Sequence, residues 1–209
     1  MEPSDETTTT STNSAAIPVA IVLGFAMIAL AIFFTSNATP TPPPTPAVET
    51  AATERTKGPR PVDETDYILG NPNASILMIE YSDYDCPFCQ QFHATMHQIM
   101  DEYGVTGKVA WVYRQYPIAV LHPNSPVISE AALCVGDIGG NDAFWSFSDL
   151  VYSQRDVTEQ TNITRLTEYA VEAGVSATEY TECMESDRME ASVLADLEDG
   201  YNAGVQGTP

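Results

Sequence analysis

Residues 81 to 93 read YSDYDCPFCQQFH and hold two of the chain's four cysteines, Cys86 and Cys89, separated only by Pro87 and Phe88. Three chemistries suit a close pair of thiols. A structural disulfide is one, although such bonds usually join distant parts of a chain. A zinc site is another, but it needs further ligands at matched spacing. The third is thiol–disulfide exchange, in which one thiolate attacks and the second thiol resolves the mixed disulfide.

The flanking pattern says where the pair sits. SILMIEY, residues 75–81, follows the Asn-Pro-Asn turn at 71–73 and reads as a short buried strand. After the cysteines, Phe88, Phe92, Met96 and Met100 recur every fourth residue until Gly104, the pattern of a helix with one apolar face. VAWVYRQYPI, residues 109–118, is rich in β-branched and aromatic residues and predicts a second strand. Strand, helix and strand in this order make a βαβ unit with parallel strands. Cys86 then falls at the helix N-terminus, where unpaired N–H groups and the helix dipole favour an anion. Pro87 costs nothing in the first turn. Cys86 is expected to be the exposed, low-pKa attacking thiol and Cys89 the shielded one. Glu80 has two readings: a buried carboxyl that exchanges a proton with Cys89, or a side chain that strand alternation turns to solvent.

Lys and Arg number 8 against 29 Asp and Glu, a formal charge of −21. No basic stripe meets phosphates, which argues against nucleic acid and against docking on an anionic membrane surface. Residues 1–14 are polar and acidic, the composition of a disordered segment. Residues 15–35 are expected to be a transmembrane helix, because 15–34 are uncharged and mostly apolar and about 20 such residues span a bilayer core. Residues 36–65, rich in Pro and Thr, read as an extended linker. Charge near the span, with Arg55, Lys57 and Arg60 after it and none before, favours a cytoplasmic domain. The cysteine chemistry favours an extracytoplasmic one, and we weigh it more heavily. The folded unit is expected over 66–209, with helical texture from about 124 to 202 broken at Gly139-Gly140 and Gly174.

Three features together, CxxC after a strand, the acid Glu80 six residues upstream and the late Thr208-Pro209, resemble the DsbA-like branch of the thioredoxin superfamily. The resemblance implies an α/β thioredoxin-like fold carrying an all-helical insertion at about 124–202. It makes Cys86 the nucleophile, Cys89 the resolving cysteine and Glu80 the family's buried acid. It also makes Thr208-Pro209 a cis pair packed against the cysteines, with Pro87 and Phe88, at the client-binding surface. The implied activity is extracytoplasmic disulfide formation in cysteine-containing client proteins, with disulfide reduction or isomerisation as the alternative. No bound cofactor is implied, only the Cys86–Cys89 couple and a membrane redox partner to reset it. Two departures stand out. The central dipeptide is Pro-Phe where the best-known oxidases have Pro-His. The chain also stops where the family continues with two strands and a helix, so it reads as a fragment.

Cys134 and Cys183 lie in the helical stretch and are either a structural disulfide or two buried free thiols. His93 and His97 share a helix face. A rival reading from another class therefore has Cys86, Cys89 and His93 hold copper or zinc in a metal-delivery module; the main reading assigns no metal.

Overall fold

Val109, Trp111, Val112 and Tyr113 place β-branched and aromatic side chains on both sides of one strand, β3 (Val109–Gln115), which is buried along its whole length. A strand apolar on both faces belongs in the middle of a covered sheet, and β3 is the middle strand of three. In this computed structural model, which describes residues 58–209, β2 (Ile76–Ser82) pairs with β3 in parallel and β1 (Tyr67–Gly70) pairs with it antiparallel. The expected acidic N-terminus, the transmembrane segment at 15–35 and most of the linker lie outside the described residues. Within them, no helix is long and apolar enough to cross a membrane. β1 is an addition to the sequence reading, which assigns no strand before residue 75.

The parallel pair is closed by α1 (Pro87–Ile99), which runs on into a single π-turn at Met100–Gly104. Its inward face carries Cys89, His93, Met96 and Met100. Phe88, expected on that stripe, is 66 % exposed. At the second helical position it projects past the end of the core instead of into it. Register places Glu80 beside Tyr113 and Ser82 beside Gln115, so both polar residues of β2 face side chains of the buried strand.

The helical stretch forms a layer against the sheet. It comprises α2 (Ser125–Gln154), α3 (Leu166–Glu172), α4 (Ala177–Glu185) and α5 (Glu190–Ala203). α2 bends at Gly140, whose φ of 79° lies in the left-handed region that glycine adopts without a Cβ clash. Gly174, at φ 93°, turns the chain between α3 and α4 in the same way. Both breaks fall where the sequence marks them. Aromatic packing joins the layers: Tyr67 of β1 stacks on Phe144 with ring centroids 4.0 Å apart, and Trp111 of β3 lies 4.5 Å from Trp145. Cys134 of α2 and Cys183 of α4, both fully buried, are joined as a disulfide with Cα atoms 5.8 Å apart.

The sequence reading ends the linker at residue 65, yet residues 60–65 are tied into the fold. Buried Arg114 of β3 donates to Asp66 Oδ1 at 2.9 Å, to Asp199 Oδ2 of α5 at 2.7 Å and to the carbonyl oxygens of Arg60 and Pro61. Arg60 in turn reaches Asp66 and Asp196. A guanidinium with no exposed surface needs all its N–H groups paired, and the main chain at 60–61 supplies two of the acceptors.

Candidate active site

Cys86 is the N-cap of α1, with φ −76° and ψ 122°, and Pro87 occupies the first turn. The carbonyl of Cys86 accepts from Gln90 N at 3.2 Å, which opens the helix, and its own N–H donates to Asp83 O at 3.1 Å. Buried carboxylates fix the turn that presents it. Asp83 Oδ1 accepts from Asp85 N (2.9 Å) and Ser125 Oγ (2.6 Å), and its Oδ2 accepts from Ile118 N (2.7 Å) and meets His122 Nδ1 at 2.9 Å. Asp85 Oδ1 accepts from Thr161 N at 2.8 Å. Arg155, just past α2, donates to Asp85 O at 2.6 Å and to Gln90 Oε1 at 3.0 Å. The residue before Cys86 and the residue that opens α1 are thus anchored to one guanidinium.

Cys86 is only 4 % exposed, which corrects its expected exposure. The cause is the last turn of the chain. Thr208-Pro209 is a cis peptide, and Cys86 Sγ lies 3.6 Å from Thr208 O. Cys89, one helical turn inward, is fully buried. Burial pushes its thiol up to about 12, against the opposing pull of the Ser82 hydroxyl and the backbone at Asp83.

Glu80 is buried, so the solvent-facing alternative falls. Trp111 Nε1 donates to its Oε2 at 2.8 Å, while Oε1 has no hydrogen-bond partner of good geometry among the described residues. Burial raises the carboxyl to about 7, outweighing the Ser82 hydroxyl and the Trp111 indole, which both favour the carboxylate. Ser82, two residues on along the same face of β2, acts in this way on Glu80 and Cys89 alike. Glu80 also lines a cavity of about 430 Å³ with Trp111, Phe92, Met96, Val205 and Pro209.

A second cluster lies further along α1. His93 Nε2 and His97 Nε2 each lie 2.7 Å from Asp149 Oδ1 of α2. Neither cysteine belongs to it. The expected grouping of Cys86, Cys89 and His93 around a metal is therefore not the one the fold makes.

With this geometry in place, a family model described as thioredoxin matches residues 62–209. The chain belongs to the thioredoxin family. Among curated relatives, a Rickettsia bellii protein named for protein-disulfide oxidoreductase activity is 30 % identical over 137 residues, covering 64 % of this chain and 51 % of the relative. Two other Rickettsia relatives are covered over 50 % and 60 % of their length, so the chain spans about half the length of these Rickettsia relatives. Among solved structures, oxidised BdbD from Bacillus subtilis superposes with a TM-score of 0.66 at 20 % identity, over 74 % of this chain and 83 % of that one. Wolbachia pipientis alpha-DsbA1 gives 0.59 at 23 % identity, over 71 % and 74 %. These two likenesses concern the fold, which is that of DsbA-type thioredoxin proteins with their helical layer.

Of the residues singled out from the sequence, Cys86, Cys89, Thr208 and Pro209 converge, with Pro87 and Phe88 at the rim and Glu80 behind. Cys134 and Cys183 stand apart in the helical layer. Asp83, Asp85, Tyr152 and Arg155 escaped the sequence reading. Tyr152 OH lies 2.8 Å from Tyr113 OH and 3.1 Å from Ser82 Oγ, closing a buried hydroxyl cluster beside Cys89. The acids alternating in YSDYDC were the available signal, since a carboxylate inside a buried stretch is retained only with partners.

Proposed function

We propose that this chain is the catalytic part of an extracytoplasmic thiol–disulfide oxidoreductase that introduces disulfides into client proteins through Cys86 and Cys89. One observation carries the reading: Cys86 caps the N-terminus of α1 against the Thr208 carbonyl while Cys89 lies fully buried behind it. In the oxidised couple, a client thiolate attacks Cys86 Sγ, a mixed disulfide forms and Cys89 leaves. A second client thiolate then attacks the client sulfur and releases Cys86. The client loses two electrons as its disulfide forms, and the couple gains them as two thiols.

Cys89, held near 12, is a poor leaving group unless it is protonated as it departs. A carboxyl poised near 7, with Ser82 beside both groups, suits the role of proton donor, and we assign Glu80 that role. Phe88, exposed at the rim, offers apolar contact to a client segment, and Thr208-Pro209 offers backbone contact. The thiol pair itself is the redox group, so the reading invokes no bound cofactor.

Two features support the direction and the place. A helix N-terminus favours an anion, and only the reduced couple can present one there, which makes the oxidised form the stronger oxidant. A fully buried disulfide between α2 and α4 suits an oxidising compartment. Residues 15–34 would then anchor the domain outside the membrane, and a membrane partner would reoxidise the couple.

The test is the reduction potential of Cys86–Cys89, measured by equilibrating the protein in glutathione buffers and counting free thiols by mass. A value of about −120 to −180 mV is expected for a disulfide donor, and a value near about −270 mV would make the protein a reductase instead.

A further inference from the structure

From the convergence of His93 Nε2, His97 Nε2 and Asp149 Oδ1 on one point, we propose that α1 and α2 together form a binding site for a divalent transition-metal ion, zinc in the first instance. The three atoms stand 2.7, 2.7 and 3.2 Å from one another. A point about 2.1 Å from all three, the length of a zinc–imidazole or zinc–carboxylate bond, lies about 1.3 Å off their plane. Ligand–metal–ligand angles there run from about 80° to about 99°, so the three atoms already stand at the separations of ligands sharing one ion.

The donor set suits the ion. Two imidazoles and one carboxylate make a facial arrangement that first-row divalent metals take, with the remaining positions left to water or another ligand. Space for exchangeable ligands exists as well. A cavity of about 430 Å³ opens on the three donors and is otherwise lined by Gln90, Ala94, Tyr152 and Ser153. The two imidazoles are held by ring packing. His93 is 5 % exposed and its ring packs 4.5 Å from Tyr152 and 5.1 Å from Trp111, while His97 lies 5.5 Å from Trp111.

The site is separate from the redox couple but on the same helix. His93 and His97 follow Cys89 by one and two turns on α1, and Asp149 belongs to the second half of α2. A bound ion would therefore clamp the helix that carries the cysteines to the helical layer. The residues differ from the Cys86, Cys89 and His93 set that spacing alone suggests, because Asp149 comes from a helix more than fifty positions away in sequence.

Thiolates also bind zinc, so the experiment keeps them out of play. The full-length protein is oxidised to join Cys86 and Cys89, then titrated with zinc by calorimetry and with cobalt(II) by visible absorption. One equivalent bound is expected, with cobalt d–d bands of a nitrogen–oxygen site and no sulfur charge-transfer band. His97→Gln and Asp149→Asn alter half-exposed side chains and should leave the fold intact by circular dichroism. Each is expected to weaken binding about 100-fold or more, since even outer-shell substitutions cost 10- to 100-fold. Zinc should also raise the melting temperature of the parent protein but not of the variants. No binding to the oxidised protein, or binding that both variants retain, overturns the proposal.

Discussion

Glu80 places a titratable group where it is almost wholly withdrawn from solvent, and its cost to the fold depends on pH. Its carboxyl moves from an ordinary value of 4.5 to about 7, chiefly by burial. Between those values the folded protein holds a proton that the unfolded chain releases. The fold therefore loses stability as pH rises through this window, by on the order of 3 kcal/mol once pH exceeds 7. Glu80→Gln removes the titration and keeps an oxygen that can accept from Trp111 Nε1. Urea unfolding of parent and variant at pH 4 and pH 8 should show near-equal stability at the lower pH. At the higher pH the variant should be more stable by an amount of that order. A difference that does not change with pH would mean that Glu80 is not buried as a neutral acid. If Glu80 is also the proton donor to Cys89, the stabilised variant should exchange thiols more slowly. A residue kept for packing alone would not separate the two readouts in this way.

At the scale of elements, periodicity located β2, α1, β3 and the helical stretch because each buries a face whose period matches its backbone. It failed on Glu80 for a definite reason. The last three residues of β2, Glu80, Tyr81 and Ser82, are all buried, so the strand is covered on both sides there and alternation carries no information. It did not reveal the burial of His93, because the inward face of α1 runs through Cys89, His93 and Met96 and not along the stripe begun by Phe88 and Phe92. Strand β1 is too short for a period to register, and only its pairing with β3 defines it. The disulfide between α2 and α4 likewise escapes any local pattern, and its contribution can be stated. It closes a loop of 49 residues. In the chain-entropy account that stabilises the fold by about 4 kcal/mol. The double variant Cys134→Ala, Cys183→Ala should therefore unfold at lower urea with a loss of about 2–4 kcal/mol. The potential of Cys86–Cys89 should stay unchanged. A shift in that potential would mean that the helical layer sets the redox couple and does not merely cover it.

For the whole molecule, the charge balance decides how stability responds to salt. Acids outnumber bases by 29 to 8, and the arginines among the described residues are spent on local partners. Arg114, Arg60 and Arg155 are engaged with Asp66, Asp196, Asp199 and Asp85, while Arg165 pairs with Glu168 and Arg188 with Asp137. Little positive charge remains to offset the outer carboxylates, so like-charge repulsion acts on the compact state. Raising sodium chloride from about 10 mM to about 1 M shortens the Debye length from about 30 Å to about 3 Å. That screens the repulsion between surface acids, whereas the Arg114 network, having no exposed guanidinium surface, is screened far less. The melting temperature at pH 7 should rise with salt. The rise should shrink as pH falls toward 4, where carboxylates lose charge and the repulsion with it. A fall in melting temperature with salt at pH 7 would show that the exposed pairs Arg165–Glu168 and Arg188–Asp137 outweigh the net charge. Exposed pairs of that kind contribute only about 0–1 kcal/mol each, which is why the opposite sign is expected.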